Sequence, residues 1–169
     1  MDLNSLFEYF AHYGAVFIFV IVFLEYMNMP GLGAAIVMPA VGIWCSQSGI
    51  NLIFAILISA CAGVVASWIL YFIGAFFGEV FMNKYLPKHP KQKEFIEKKV
   101  EYIREKGHVG VFISRFVPAV RTLIPIPAGL VRLDFIRFTA FSFVAITIYN
   151  GALISAGYFM GDQVFKLLA

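Results

Sequence analysis

Arg115 and Arg121 flank Pro118 in the stretch Ser114-Arg-Phe-Val-Pro-Ala-Val-Arg121, which is otherwise apolar. An arginine at membrane depth costs roughly 2.5–3.5 kcal/mol on insertion scales, so a pair is kept where it lines a wet cavity or meets an anion. The guanidinium is planar and always charged, and its fork of donors matches phosphate oxygens. Two such forks suit a dianionic phosphate monoester best. Ser114 adds a hydroxyl to the same substrate-binding set; no His or Asp near it in sequence activates it, so hydrolase chemistry is unsupported. The competing reading has both arginines snorkelling to the interface or paired with Glu25.

No Asp, Glu, Lys or Arg lies between Glu25 and Glu79, which leaves Glu25 as the one acid of the first proline-broken segment. A carboxyl at that depth favours its neutral form unless an arginine sits beside it. That equips Glu25 to carry a coupling proton. The alternative is a structural ion pair with Arg115 or Arg121, and the two states can alternate in one cycle. Other groups carry less. His12, His89 and His108 lie far apart without metal-ligand spacing, so they read as surface or interfacial residues, and neither metal nor cofactor is expected. Tyr71 and Tyr158 read as aromatic-belt residues. Cys45 and Cys61 sit in apolar sequence with no Cys-x-x-Cys spacing and read as buried free thiols.

The elements that position these residues must be membrane elements. Of 169 residues, 61% are hydrophobic and 14% charged, against about 45–50% and about 25% in a soluble domain, and the mean hydropathy is +0.84. The uncharged run after Glu25 far exceeds the roughly 18 residues that suggest a spanning helix. Residues 1–12 carry Asp2 and Glu8 but no Lys or Arg, so no cleaved leader is expected. The net charge of +3 comes from clustered basic residues that fit membrane orientation better than nucleic-acid binding.

The predicted organisation is an all-α polytopic membrane protein. A first repeat over 13–82 holds a re-entrant segment (20–44), broken by Pro30, Gly31 and Pro39, and a transmembrane helix (52–78). An amphipathic linker helix over 83–108 carries eight Lys or Arg and four Glu, with Phe95, Ile96, Val100 and Ile103 at helical spacing, and is expected to lie on the membrane surface. A second repeat over 109–161 holds a re-entrant segment (109–131), broken by Pro118, Pro127 and Gly129, and a second span (138–160). Proline removes a donor and clashes with the preceding turn, so an unbroken span through either segment is disfavoured. Gly74-x-x-x-Gly78 and Gly157-x-x-x-Gly161 permit close helix packing.

The repeat is visible in the offsets. Pro30 and Pro39 map onto Pro118 and Pro127 at a shift of 88, and Tyr71-Phe-Ile-Gly74 maps onto Tyr158-Phe-Met-Gly161 at a shift of 87. With one crossing between equivalent points, the second unit is expected upside down, the inverted repeat of transporter folds. If 83–108 is cytoplasmic, the turn bearing Arg132 and Arg137 is cytoplasmic too, and both termini fall on the far face.

At these residues the chain resembles the DedA family of membrane proteins, described also by the SNARE-associated or VTT domain. The resemblance runs from about Phe23 to Gly161. Phe112-x-Ser-Arg-Phe-x-Pro-x-x-Arg121 with Ala128-Gly129 looks like the family's arginine-bearing hairpin, and Glu25 with Pro30-Gly31 looks like its first; Tyr71-x-x-Gly74-x-x-x-Gly78 and Gly157-Tyr158-x-x-Gly161 are similar to its flanking helix motifs. The family often has a second acid where this chain has Leu32 and Gly33, and an Asp where it has Ser67. It also commonly continues into a further helix past the position of Gly161. The resemblance implies translocation of a phosphate-bearing lipid, most of all undecaprenyl phosphate, across a bacterial inner membrane. A phospholipid flippase or scramblase is the alternative within transport. Apart from the resemblance, a membrane enzyme such as a phosphatase would need a nucleophile and a base that the sequence does not offer, and a non-transporting membrane-homeostasis scaffold is a third class. The implied partners are membrane lipids (a polyprenyl phosphate or a phospholipid), protons and further copies of the chain in a homo-oligomer.

Overall fold

A computed structural model of the chain describes residues 3–27, 34–80, 90–118 and 120–168. Among these the protein is all-helical, in the order α1 (Leu3–Tyr26), α2 (Ala34–Ser48), α3 (Leu52–Val80), α4 (Pro90–Ser114), α5 (Pro125–Leu130) and α6 (Phe135–Leu168). Two stretches are long and apolar enough to cross a bilayer, Leu52–Gly78 in α3 and Phe135–Met160 in α6. The apolar parts of α1 and α2, Tyr13–Tyr26 and Ile36–Ser48, are shorter. Large apolar side chains crowd the surface: Ile36, Ile53, Phe76, Phe77 and Ile136 are each at least 65% exposed. Water does not tolerate so many at once, and lipid does.

The chain divides into two compact units, one of Met1–Gly63 with Ile146–Ala169 and the other of Val64–Ala145. In the first, α1 packs on α2, and the buried core includes Ile18, Val22, Met38, Val41 and Ile154. α2 and the end of α6 approach to backbone contact. A Cβ on Gly42 would overlap the Ile154 carbonyl, and one on Gly157 would overlap the Pro39 carbonyl. A buried polar chain crosses this unit: the Tyr26 hydroxyl donates to Asn150 Oδ1 (3.1 Å), and Asn150 Nδ2 lies 3.4 Å from Ser59 Oγ. In an apolar medium such groups bond to one another because no water competes.

The second unit repeats the device. A Cβ on Gly74 of α3 would overlap the Ile126 carbonyl of α5, and one on Gly129 of α5 would overlap the Tyr71 carbonyl of α3. Its core gathers Tyr71, Ile103, Val111, Val120, Ile124, Ala128 and Phe138. Trp68 donates its indole N–H to Thr139 Oγ1 (3.0 Å).

Several expectations are corrected in detail. Pro39 does not interrupt its segment but lies inside α2; the carbonyl it deprives of a donor belongs to Ala35, in the opening turn, where the helical ladder has barely begun. Pro30 and Gly31 lie outside the described residues. The linker and the following segment meet at Gly107, whose φ of 56° and ψ of −137° are open only to glycine and divide α4 into two helical stretches there. Of the apolar stripe of α4, Val100 and Ile103 are buried in protein, Ile103 in the core of the second unit; the side chains of Phe95 and Ile96 lie outside those described. Tyr71 is likewise a core residue, 6% exposed, with its hydroxyl donated to the Leu133 carbonyl. Cys45 is buried, whereas Cys61 is exposed.

Candidate functional site

The prolines of the second unit decide where the backbone opens. In a continued helix the Ser114 carbonyl would receive its bond from residue 118, but Pro118 has no N–H to give. Val117 takes the bond instead at 3.2 Å, and α4 ends there. Successive tight turns then lead through residues 120–124 into α5, with Pro125 at its start. Pro127 lies in the first turn of α5, where a missing donor costs nothing. Pro125 cannot serve the Arg121 carbonyl four residues before it. That oxygen accepts Arg115 Nη1 at 3.4 Å.

Arg115 sits at this opening with 1% of its surface exposed. Nη1 also donates to Ser67 Oγ of α3 (3.1 Å), and Nη2 donates to Ser142 Oγ of α6 (2.8 Å). The guanidinium carbon stands 5.7 Å from the centre of the Phe138 ring, within cation–π range. The fork is thus oriented by groups from two long helices and one broken loop. These contacts, to neutral oxygens and a ring, orient the fork. Arg121 is buried to the same degree, and Ser114 is buried at 6% exposure. Neither arginine reaches the surface, which removes the snorkelling reading: snorkelling needs a head group in water.

Glu25 lies in the other unit, in the last turn of α1, 4% exposed and next to the anchored Tyr26. Sequence reasoning singled out Ser114 as the hydroxyl of the site; the hydroxyls on the guanidinium are those of Ser67 and Ser142. In the sequence Ser67 stands out only as a departure from the family pattern, and Ser142 does not stand out at all. The available signal was the isolation of a hydroxyl in an apolar span, but serine is common enough in such spans that spacing alone does not select it. Among the described residues no three His, Cys, Asp or Glu gather in a way that would hold a metal.

Two helices of spanning length, an apolar exterior and arginines buried in the interior define an integral membrane protein. The VTT domain family matches residues 29–159. The chain belongs to this family, the DedA family. It is similar to undecaprenyl phosphate transporter A of Staphylococcus aureus (strain NCTC 8325 / PS 47), 27% identical over 95% of this chain and 81% of the relative. It is also similar to undecaprenyl phosphate transporter A of Bacillus subtilis (strain 168), 31% identical over 72% of this chain and 62% of the relative, so it spans less than two thirds of that protein's length. A third relative is named alkaline phosphatase-like protein, from Lactococcus lactis subsp. cremoris (strain MG1363), 26% identical over 91% of this chain and 72% of the relative. No solved structure matches.

Proposed function

We propose that this protein moves a phosphate-bearing lipid, undecaprenyl phosphate foremost, across a bacterial inner membrane, with Arg115 and Arg121 binding the headgroup while the chains stay in lipid. The observation that carries the reading is the burial of Arg115, its fork oriented by Ser67, Ser142 and the Arg121 carbonyl. A buried guanidinium is expensive to keep, and its planar fork matches the oxygens of a phosphate headgroup. The names of the Staphylococcus and Bacillus relatives support the same substrate. The architecture we propose is two inverted repeats, each a re-entrant hairpin and a span, consistent with the reciprocal glycine contacts found in each unit. Ser114 completes the headgroup site, and Glu25 carries the coupling proton.

Reconstitution tests the reading directly. Vesicles containing the purified chain should accumulate a labelled polyprenyl phosphate on the far leaflet and leave the corresponding polyprenyl alcohol where it was. Equal movement of alcohol and phosphate would remove the arginines from the explanation and favour a scramblase. The name of the Lactococcus relative brings a phosphatase into view; that activity would show as inorganic phosphate released from the probe, and we expect none.

Orientation follows from the skew of basic residues. α4 upstream of Gly107 exposes Lys98, Arg104 and Lys106, and positive charge stays on the cytoplasmic side. Single cysteines placed between 94 and 106 should therefore react with impermeant reagents only after cells are opened. Labelling of intact cells would reverse the topology.

A further inference from the structure

The turn between α5 and α6 holds a residue in a conformation that arginine rarely adopts. Leu133 donates its N–H to the Ala128 carbonyl (3.1 Å), and Arg132 donates to the Gly129 carbonyl (2.9 Å). This pair of bonds closes a helix when the residue after its cap is left-handed, a place that glycine usually fills. Here it is Arg132, at φ 52°, the one non-glycine residue with positive φ among those described. A side chain in that region crowds the following carbonyl, so arginine is the less stable choice.

Strain of this kind persists where the surroundings fix it and the side chain has a use. The surroundings do fix it: the Tyr71 hydroxyl holds the Leu133 carbonyl from α3, and Asp134 accepts the Arg137 N–H (2.8 Å) at the start of α6. Membrane orientation does not require charge at this φ, because Arg137, in ordinary helical backbone five residues on, supplies it unstrained. Arg132 is exposed, and its guanidinium has no hydrogen bond or ion pair among the described residues. The position thus presents a cationic fork that no described residue engages by hydrogen bond or ion pair, with Asp134 and Tyr71 nearby, on a turn of the unit that contains Arg115.

We propose that Arg132 is a surface capture site for the phosphate monoester of a lipid, engaging the headgroup before it reaches the buried arginines. This rests on the transport reading for its purpose, but not for its measurement. The probe is a fluorescent short-chain prenyl phosphate, with the matching prenyl alcohol as the neutral control, bound to the full chain in detergent and followed by anisotropy. Arg132→Gly should raise the half-saturating concentration of the phosphate about tenfold, the size of one charge-assisted contact, and leave the alcohol unaffected. Its midpoint of thermal unfolding should hold or rise by about 2–4 °C, since glycine relieves the backbone.

Arg132→Asn tolerates the same backbone and lacks the charge, so it should weaken binding equally. Arg137→Gln should stay within about twofold of the parent. In proteoliposomes Arg132→Gly should need more lipid to reach half-maximal rate while approaching the same maximum. Unchanged binding in Arg132→Gly, or a lowered unfolding midpoint, would overturn the proposal, because the side chain would then be inert or structural. Inorganic phosphate that displaces the probe at equal concentration would assign the site to the free ion and overturn the lipid assignment. Failure of the parent to bind the probe would overturn it as well. Arg132-dependent binding in a parent that carries nothing would sink the transport reading alone, and unchanged binding with intact transport would sink Arg132 alone.

Discussion

Arg115→Ala is expected to reduce uptake of labelled polyprenyl phosphate into proteoliposomes by more than about tenfold, because truncating one partner of a buried charge pair costs about 2–5 kcal/mol. Arg121→Ala should fall in the same range if both arginines meet one phosphate. Arg115→Lys keeps the charge but loses the planar fork that spans Ser67 and Ser142, so it should recover only part of the rate. Ser142→Ala should show a smaller loss of the same kind, since the fork would be retained but less well oriented. Glu25→Gln should behave differently, preserving binding of the phosphate lipid while flattening the dependence of transport on pH. Each variant needs a thermal unfolding measurement, because Arg115 is also among the largest fully buried side chains. Parent rates in well-folded Arg115→Ala and Arg121→Ala proteins would remove the site assignment, and a parent that moves no lipid would leave a non-transporting scaffold as the better reading.

The second large effect is on folding. Gly129→Ala and Gly157→Ala each place a methyl group on the backbone carbonyl of a neighbouring helix, that of Tyr71 and of Pro39 respectively. A carbonyl in a helical ladder cannot swing aside, so the helices must separate and the packing around both glycines loosens. Overpacking costs about 1–3 kcal/mol where side chains can adjust, and these sites should exceed that. Gly78→Ala meets the Leu130 side chain at 2.8 Å, which can rotate, and should be milder. Gly151→Ala meets Ile56 at 3.5 Å, ordinary contact, and should be close to neutral. The order of thermal stability in detergent, with Gly151→Ala above Gly78→Ala and both above Gly129→Ala and Gly157→Ala, is the result to check; equal stabilities would mean that the helices do not approach this closely.

The apolar length of α3 and α6, the buried cost of Arg115 and Arg121 and the break around Pro118 were legible in the sequence, because each follows from composition or from a local rule of the backbone. An apolar run has a length whatever it packs against, and a missing N–H at Pro118 strands the Ser114 carbonyl in any tertiary setting. The same local logic misjudged Pro39, since whether one lost bond ends a helix depends on what supports the turn around it, and here Pro39 lies against Gly157. Amphipathicity in α4 showed that one face is buried and not against what; for Val100 and Ile103 the answer is protein. Tertiary structure alone chose the partners of the guanidinium. Ser67 and Ser142 lie 48 and 27 positions from Arg115, and in an apolar medium a polar side chain bonds to whichever group helix packing brings within reach. The left-handed Arg132 belongs to the same class, a conformation set by the junction of α5 with α6 and held by Tyr71 from α3.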